Sequence, residues 1–177
     1  MFTNHTVKKT QMLVELSLFT ALTLILARFA SINLAAVRIG FSFIPIMICG
    51  IRHGAIPAAC AAGMADFLGA MLFPFGVYHP GITLCAVLTG FLYGLFFSKR
   101  ITLQRIGGFL CCNTLFVSLG LMSLFLHQLY ETPYWTILLQ RLPNSLLNAA
   151  IAGTLLIVFQ KGPLESVFRR PAFNRAV

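Results

Sequence analysis

PGITLCAVLTGFLYGLFFSKR, residues 80–100, decides the class of fold. From Pro80 to Ser98 it carries no charge, and Lys99 and Arg100 follow at once. About 20 apolar residues cross the roughly 30 Å of membrane hydrocarbon as a helix, and a basic pair at the end of such a run marks a cytoplasmic flank. Similar runs fill the rest of the chain, at approximately 11–30, 40–52, 54–73, 106–128 and 136–160. The whole has 177 residues, 58% hydrophobic and 10% charged, with a mean hydropathy of +0.87. That is too apolar for one soluble globule. The expectation is an all-α polytopic membrane protein, a single domain over 1–177 with six transmembrane helices. So little length remains outside the spans that a nucleotide-binding domain has no place in it.

The first run invites comparison with a signal peptide, since Lys8 and Lys9 precede it. It continues to about Phe29 and contains Glu15, which favours an uncleaved first helix. With the N-terminus in the cytoplasm, ten of the 13 basic residues fall inside: Lys8, Lys9, Arg52, Lys99, Arg100, Arg105, Lys161, Arg169, Arg170 and Arg175. The inverted molecule would place those ten outside, against the positive-inside rule. Both termini are therefore expected in the cytoplasm, in a multi-pass protein of the cell membrane. The net charge of +9 is mostly this topology signal, and nucleic acid has no part in it.

Three arginines remain on the outer side, namely Arg28, Arg38 and Arg141. Each has a bland reading as a side chain snorkelling to the headgroups. Three together suit an anion, because a guanidinium holds a carboxylate bidentately. Arg141 lies beside Pro143, where a helix N-terminus would add its dipole. Asp66 is the carboxylate within a central helix. It reads either as the partner of an outer arginine or as the acceptor for a ligand with adjacent N–H donors, such as an aminopyrimidine edge.

Aromatics and chain breakers crowd the same side: Phe41, Phe43 and Pro45, then Phe73, Pro74, Phe75, Gly76, Tyr78, His79, Pro80 and Gly81, and later Tyr134 and Trp135. They form an interfacial belt or the walls of a slot for a flat heterocycle. Small residues four apart, at Ser17 and Ala21, Ala58 and Ala62, and Ala86, Gly90 and Gly94, allow close helix approach within the bundle or with a membrane partner. Cys49, Cys60, Cys85, Cys111 and Cys112 lie in apolar segments without ligand spacing, so neither a disulfide nor a metal site is expected. His53 and His127 read as interfacial, with a proton relay as the alternative.

The stretches Arg38-Ile-Gly-Phe-Ser-Phe-Ile-Pro-Ile46, Ala65-Asp-Phe-Leu-Gly-Ala-Met-Leu-Phe-Pro74, Tyr78-His-Pro-Gly-Ile-Thr-Leu84 and Leu88-Thr-Gly-Phe-Leu-Tyr-Gly94 resemble the substrate-binding S component of energy-coupling factor (ECF) vitamin transporters, in its folate-specific branch. Arg141 and Asn148 continue the resemblance in the last helix. It implies a six-helix S-component bundle that binds its vitamin near the outer face under the loops after helices 1, 3 and 5. Transport in such systems needs a transmembrane coupling subunit and two ATPase subunits. ATP belongs to those partners, and no cofactor or catalytic residue is expected here. Family members meet the coupling subunit through Ala-x-x-x-Ala in helix 1. In this chain Ala21 is followed by Ile25, so Ser17 and Ala21 are the expected contact.

Folate suits the residues independently: a flat pterin for the aromatics, an aminopyrimidine edge for Asp66, and a dicarboxylate tail for the arginines, with Arg38 and Arg141 favoured over Arg28. The expected site is Arg38, Phe41, Phe43, Asp66, Phe73, Tyr78, His79, Trp135 and Arg141. Two rivals stand beside it. One is the same architecture with riboflavin, thiamin or a queuosine precursor, of which cationic thiamin sits poorly among arginines. The other is an intramembrane enzyme or proton-coupled carrier using Asp66 with His53 or His79.

Overall fold

The computed structural model describes the backbone of residues 3–29, 32–34, 37–73, 78–98 and 101–161, and side chains over 10–27, 40–73, 78–98 and 101–160. Among the described residues six helices run up and down: α1 (Thr3–Phe29), α2 (Phe43–His53), α3 (Ala55–Leu72), α4 (Pro80–Phe97), α5 (Leu103–Tyr130) and α6 (Tyr134–Lys161). Between α1 and α2 two short antiparallel strands, β1 (Ile32–Leu34) and β2 (Val37–Ile39), pair Asn33 with Arg38. Five of the helices are long and apolar enough to cross a membrane. The sixth, α2, has 11 residues, about 16 Å at 1.5 Å per residue, or roughly half the hydrocarbon thickness.

Alternation of direction sorts the bundle into two ends. The hairpin end holds the finishes of α1, α3 and α5 and the starts of α2, α4 and α6. The far end is the packed one. There Tyr93 and Phe97 of α4 and Phe109 of α5 pack at tilted and edge-on angles with ring centroids 4.3 to 6.2 Å apart. Met47, Ile51 and Leu156 close around them, all buried.

Glycine and alanine make that packing possible. A Cβ on Gly90 would come within 2.5 Å of the Ala58 carbonyl and 2.8 Å of the Ala62 Cβ, and one on Gly94 would strike the Ala55 backbone. The rows at Ala58 and Ala62 and at Gly90 and Gly94 thus serve the internal α3–α4 seam. Ser17 and Ala21 differ. They are exposed on α1 alongside Leu18, Leu22 and Ile25, on a face that the bundle does not cover.

Across the far end, Glu15 of α1 grips the last turn of α2. Its Oε1 accepts from Arg52 Nη2 at 2.8 Å, and its Oε2 lies 2.8 Å from His53 Nε2. Gly54 then turns the chain straight into α3 with φ at +91°, a conformation open to glycine.

Candidate ligand-binding site

At the hairpin end the bundle opens into a cavity of three connected lobes, of about 440, 460 and 260 Å³. Asp66, Ile82, Met122 and Arg141 border all three. The space exists because α2 starts halfway: Ser42, Phe43 and Ile46, around its first turn, line the cavity instead of continuing past it. Volumes of this order suit a small organic ligand.

Helix α5 shapes one wall by changing its winding. From Cys112 to Leu121 its backbone is a π-helix. Ten residues at about 4.4 per turn rotate roughly half a turn less than ten at 3.6. Residues all along α5 border the cavity, among them Leu110, Asn113, Val117, Ser118, Met122 and Leu126. Plain α winding would turn the Met122–Tyr130 part of the helix to a different face.

Asp66 sits on α3 facing a polar chain from α4 and the loop before it. Thr83 Oγ1 donates to Asp66 Oδ2 at 2.9 Å. With its single proton so used, Thr83 accepts from the Tyr78 hydroxyl 3.2 Å away. Tyr78 packs edge-on against Phe67. His79 lines the same lobe, and its Nδ1 accepts from the Gly81 N–H at 3.1 Å, capping α4 just before Pro80. A Cβ on Gly81 would overlap the Phe125 ring, which lies tilted against His79 with centroids 5.5 Å apart. The α4 start and α5 are thereby locked together at the cavity mouth.

Arg141 enters from α6. That helix begins at Tyr134 and runs through Pro143, so Arg141 lies inside it and no helix N-terminus forms at Pro143, contrary to the sequence expectation. Arg141 Nε is buried with no hydrogen-bond partner, and Arg141 and Asp66 form no ion pair although they share a cavity. Two opposite charges held apart in an apolar bundle are expensive unless something else satisfies them.

Of the residues singled out from sequence, Phe43, Asp66, Tyr78, His79 and Arg141 come together on the cavity walls. Phe41, Phe73 and Trp135 are absent from the walls. Phe41 is part-buried in the turn into α2, Phe73 is exposed at the end of α3, and Trp135 is 73% exposed against Tyr134. The side chains of Arg28 and Arg38 lie outside the described residues. Sequence reading passed over Thr83, Thr89, Asn113, Asn144 and Ser145. On α6, Asn148 Nδ2 donates to both the backbone and side-chain oxygens of Asn144 at 2.9 Å. The signal for these was present as polar residues recurring on otherwise apolar helices, Thr83 and Thr89 on α4, Asn113 and Ser118 on α5, and Asn144, Ser145 and Asn148 on α6.

The family of ECF transporter substrate-specific components matches this chain over residues 11–159. The chain belongs to that family. An S component is a membrane protein, and five helices here are long and apolar enough to cross a membrane. A folate transporter, FolT, of Clostridium novyi (strain NT) is 36% identical over 100 residues, covering 56% of this chain and 58% of that protein. The matched stretch thus spans less than two thirds of that relative. FolT of Leuconostoc mesenteroides is 23% identical over 127 residues, 71% of this chain and 68% of its own length. In three dimensions the S component resembles a crystal structure of FolT bound with folic acid, with a TM-score of 0.78 at 27% identity over 89% of this chain and 94% of that one.

Proposed function

We propose that this S component captures folate in the hairpin-end cavity and hands it to partner subunits for uptake. The carrying observation is that Asp66 on α3 and Arg141 on α6 border the same cavity without pairing with each other, Arg141 Nε being buried without a hydrogen-bond partner. Folate offers what each lacks. Its aminopyrimidine edge has adjacent N–H donors for a carboxylate, and its glutamate tail has carboxylates for a guanidinium. The FolT relatives and the folic acid-bound neighbour support the same ligand. Phe43, Tyr78 and His79 flank the ring, and Arg38 on the hairpin is a second candidate for the tail.

The hairpin end faces outward in this reading, with the basic far end and both termini in the cytoplasm. The protein acts as a binder, not an enzyme, and needs no cofactor. The structure does not bring Asp66 together with His53, which is bonded to Glu15 at the opposite end. Energy comes from ATP hydrolysed by two ATPase subunits through a transmembrane coupling subunit. The exposed face of α1 around Ser17 and Ala21 is the contact for that subunit.

Calorimetric titration of the purified chain with folic acid, beside riboflavin, thiamin and biotin, tests the ligand. Tight binding of folic acid alone supports the assignment. Tight binding of another vitamin keeps the family and moves the substrate, and no binding at all overturns the reading. Folate uptake into vesicles that requires ATP and the partner subunits tests the transport step.

A further inference from the structure

Asn113 stands on the π-wound stretch of α5 and borders the two lobes that lie away from Tyr78. Among the described residues its hydrogen-bond partner is Thr89 of α4, at 3.2 Å. Thr89 Oγ1 also lies 2.9 Å from the carbonyl oxygen of Cys85, one turn back. A hydroxyl has one proton to give, so these two contacts define two arrangements. In the first, Thr89 donates to Asn113 Oδ1 and the Asn113 NH₂ is free for the cavity. In the second, Thr89 donates to Cys85 and accepts from Asn113 Nδ2, which turns the Asn113 carbonyl oxygen to the cavity. A half-rotation of one carboxamide exchanges them. Neither strands a buried group, since the Cys85 carbonyl already serves the helix ladder. Asn144 has no such freedom, because Asn148 donates to its Oδ1.

Asn113 shares the lobe of about 260 Å³ with Asp66 and Arg141, so the part of a ligand held by Asp66 is the part within reach of this amide. In the folate reading that part is the pterin, whose aminopyrimidine edge donates to the Asp66 carboxylate.

We propose that Asn113, set by Thr89, is a specificity-determining residue whose carboxamide offers either a donor or an acceptor, so that one site reads a pterin at two oxidation levels. The inference rests on the folate reading above. An oxidised pterin presents bare ring nitrogens, which accept. Its tetrahydro form carries N–H groups at N5 and N8, which donate. A carboxylate in the same place serves the reduced ring only.

Titration of the purified chain with folic acid and, under reductant, with tetrahydrofolate tests this. In Asn113→Leu both affinities fall about tenfold and to a similar extent, while thermal unfolding without ligand stays at the parent value. Should that variant not fold, Thr89→Val carries the test, with a severalfold loss for both forms. Loss confined to one oxidation level shows an amide fixed in one orientation and overturns the proposal, as does unchanged binding of both. A parent chain that binds neither form overturns the folate reading itself and this inference with it.

Discussion

The two ends of this bundle are built on opposite terms. At the far end, Gly90 and Gly94 let α3 and α4 touch backbone to backbone, and Tyr93, Phe97 and Phe109 fill what remains. At the hairpin end, the bundle opens into a cavity edged by the Asp66 carboxylate and the Arg141 guanidinium, which do not pair with each other and of which Arg141 Nε is buried without a partner. Protein interiors are close-packed, and voids and unpaired charges cost stability. The packed end therefore carries the stability that the open end gives up for binding. Substitutions at the first should cost folding and leave affinity alone, and those at the second should do the reverse.

The largest effect is expected at the seam. Gly94→Leu places a side chain where a Cβ already meets Ala55 and Gly54 backbone atoms. Backbone cannot yield as a flexible side chain does, so several kcal/mol of strain follow. The purified variant should aggregate or unfold tens of degrees early in a thermal melt. A melt like the parent's would show that the seam is looser than its geometry.

Arg141→Ala is the sharpest test from the other end. Losing a charge-assisted contact with a carboxylate tail weakens folate by roughly ten- to a hundredfold, from about 1.5 to 3 kcal/mol. Without ligand the variant should melt at or above the parent temperature, because it no longer buries an unpartnered Nε. A drop in ligand-free stability would place Arg141 in the scaffold. Asp66→Asn comes next, with about a tenfold loss as one acceptor becomes a donor facing the ligand's N–H groups. Tyr78→Phe is milder still, a few-fold, since the phenol acts on Asp66 through Thr83.

The division between ends was only partly written in the sequence. Apolar runs and basic flanks are one-dimensional signals, so the membrane bundle was legible, and so were Asp66 and Arg141, as charges where hydrocarbon penalises them. Hydropathy does not distinguish a half-length helix such as α2 from a full span, because both begin as apolar runs. Nor does composition announce the π winding of α5, which brings Asn113 to the cavity. Trp135 was overvalued for a related reason: an aromatic near a helix start reads alike whether it turns inward or, as here, outward.

The smallest expected effect probes the far end by charge instead of packing. Glu15→Gln removes the carboxylate shared by Arg52 and His53, and both pairs are partly solvated. Partly exposed ion pairs contribute little, so about 1 kcal/mol of stability is at stake, a few degrees in a thermal melt. The bond joins α1 to α2 on the side remote from the cavity, so folate affinity should hold within about twofold of the parent. A larger loss of affinity would mean that the ends communicate, with the short α2 as the obvious link, because Glu15 holds its last turn while Ser42 and Ile46 line the cavity at its first.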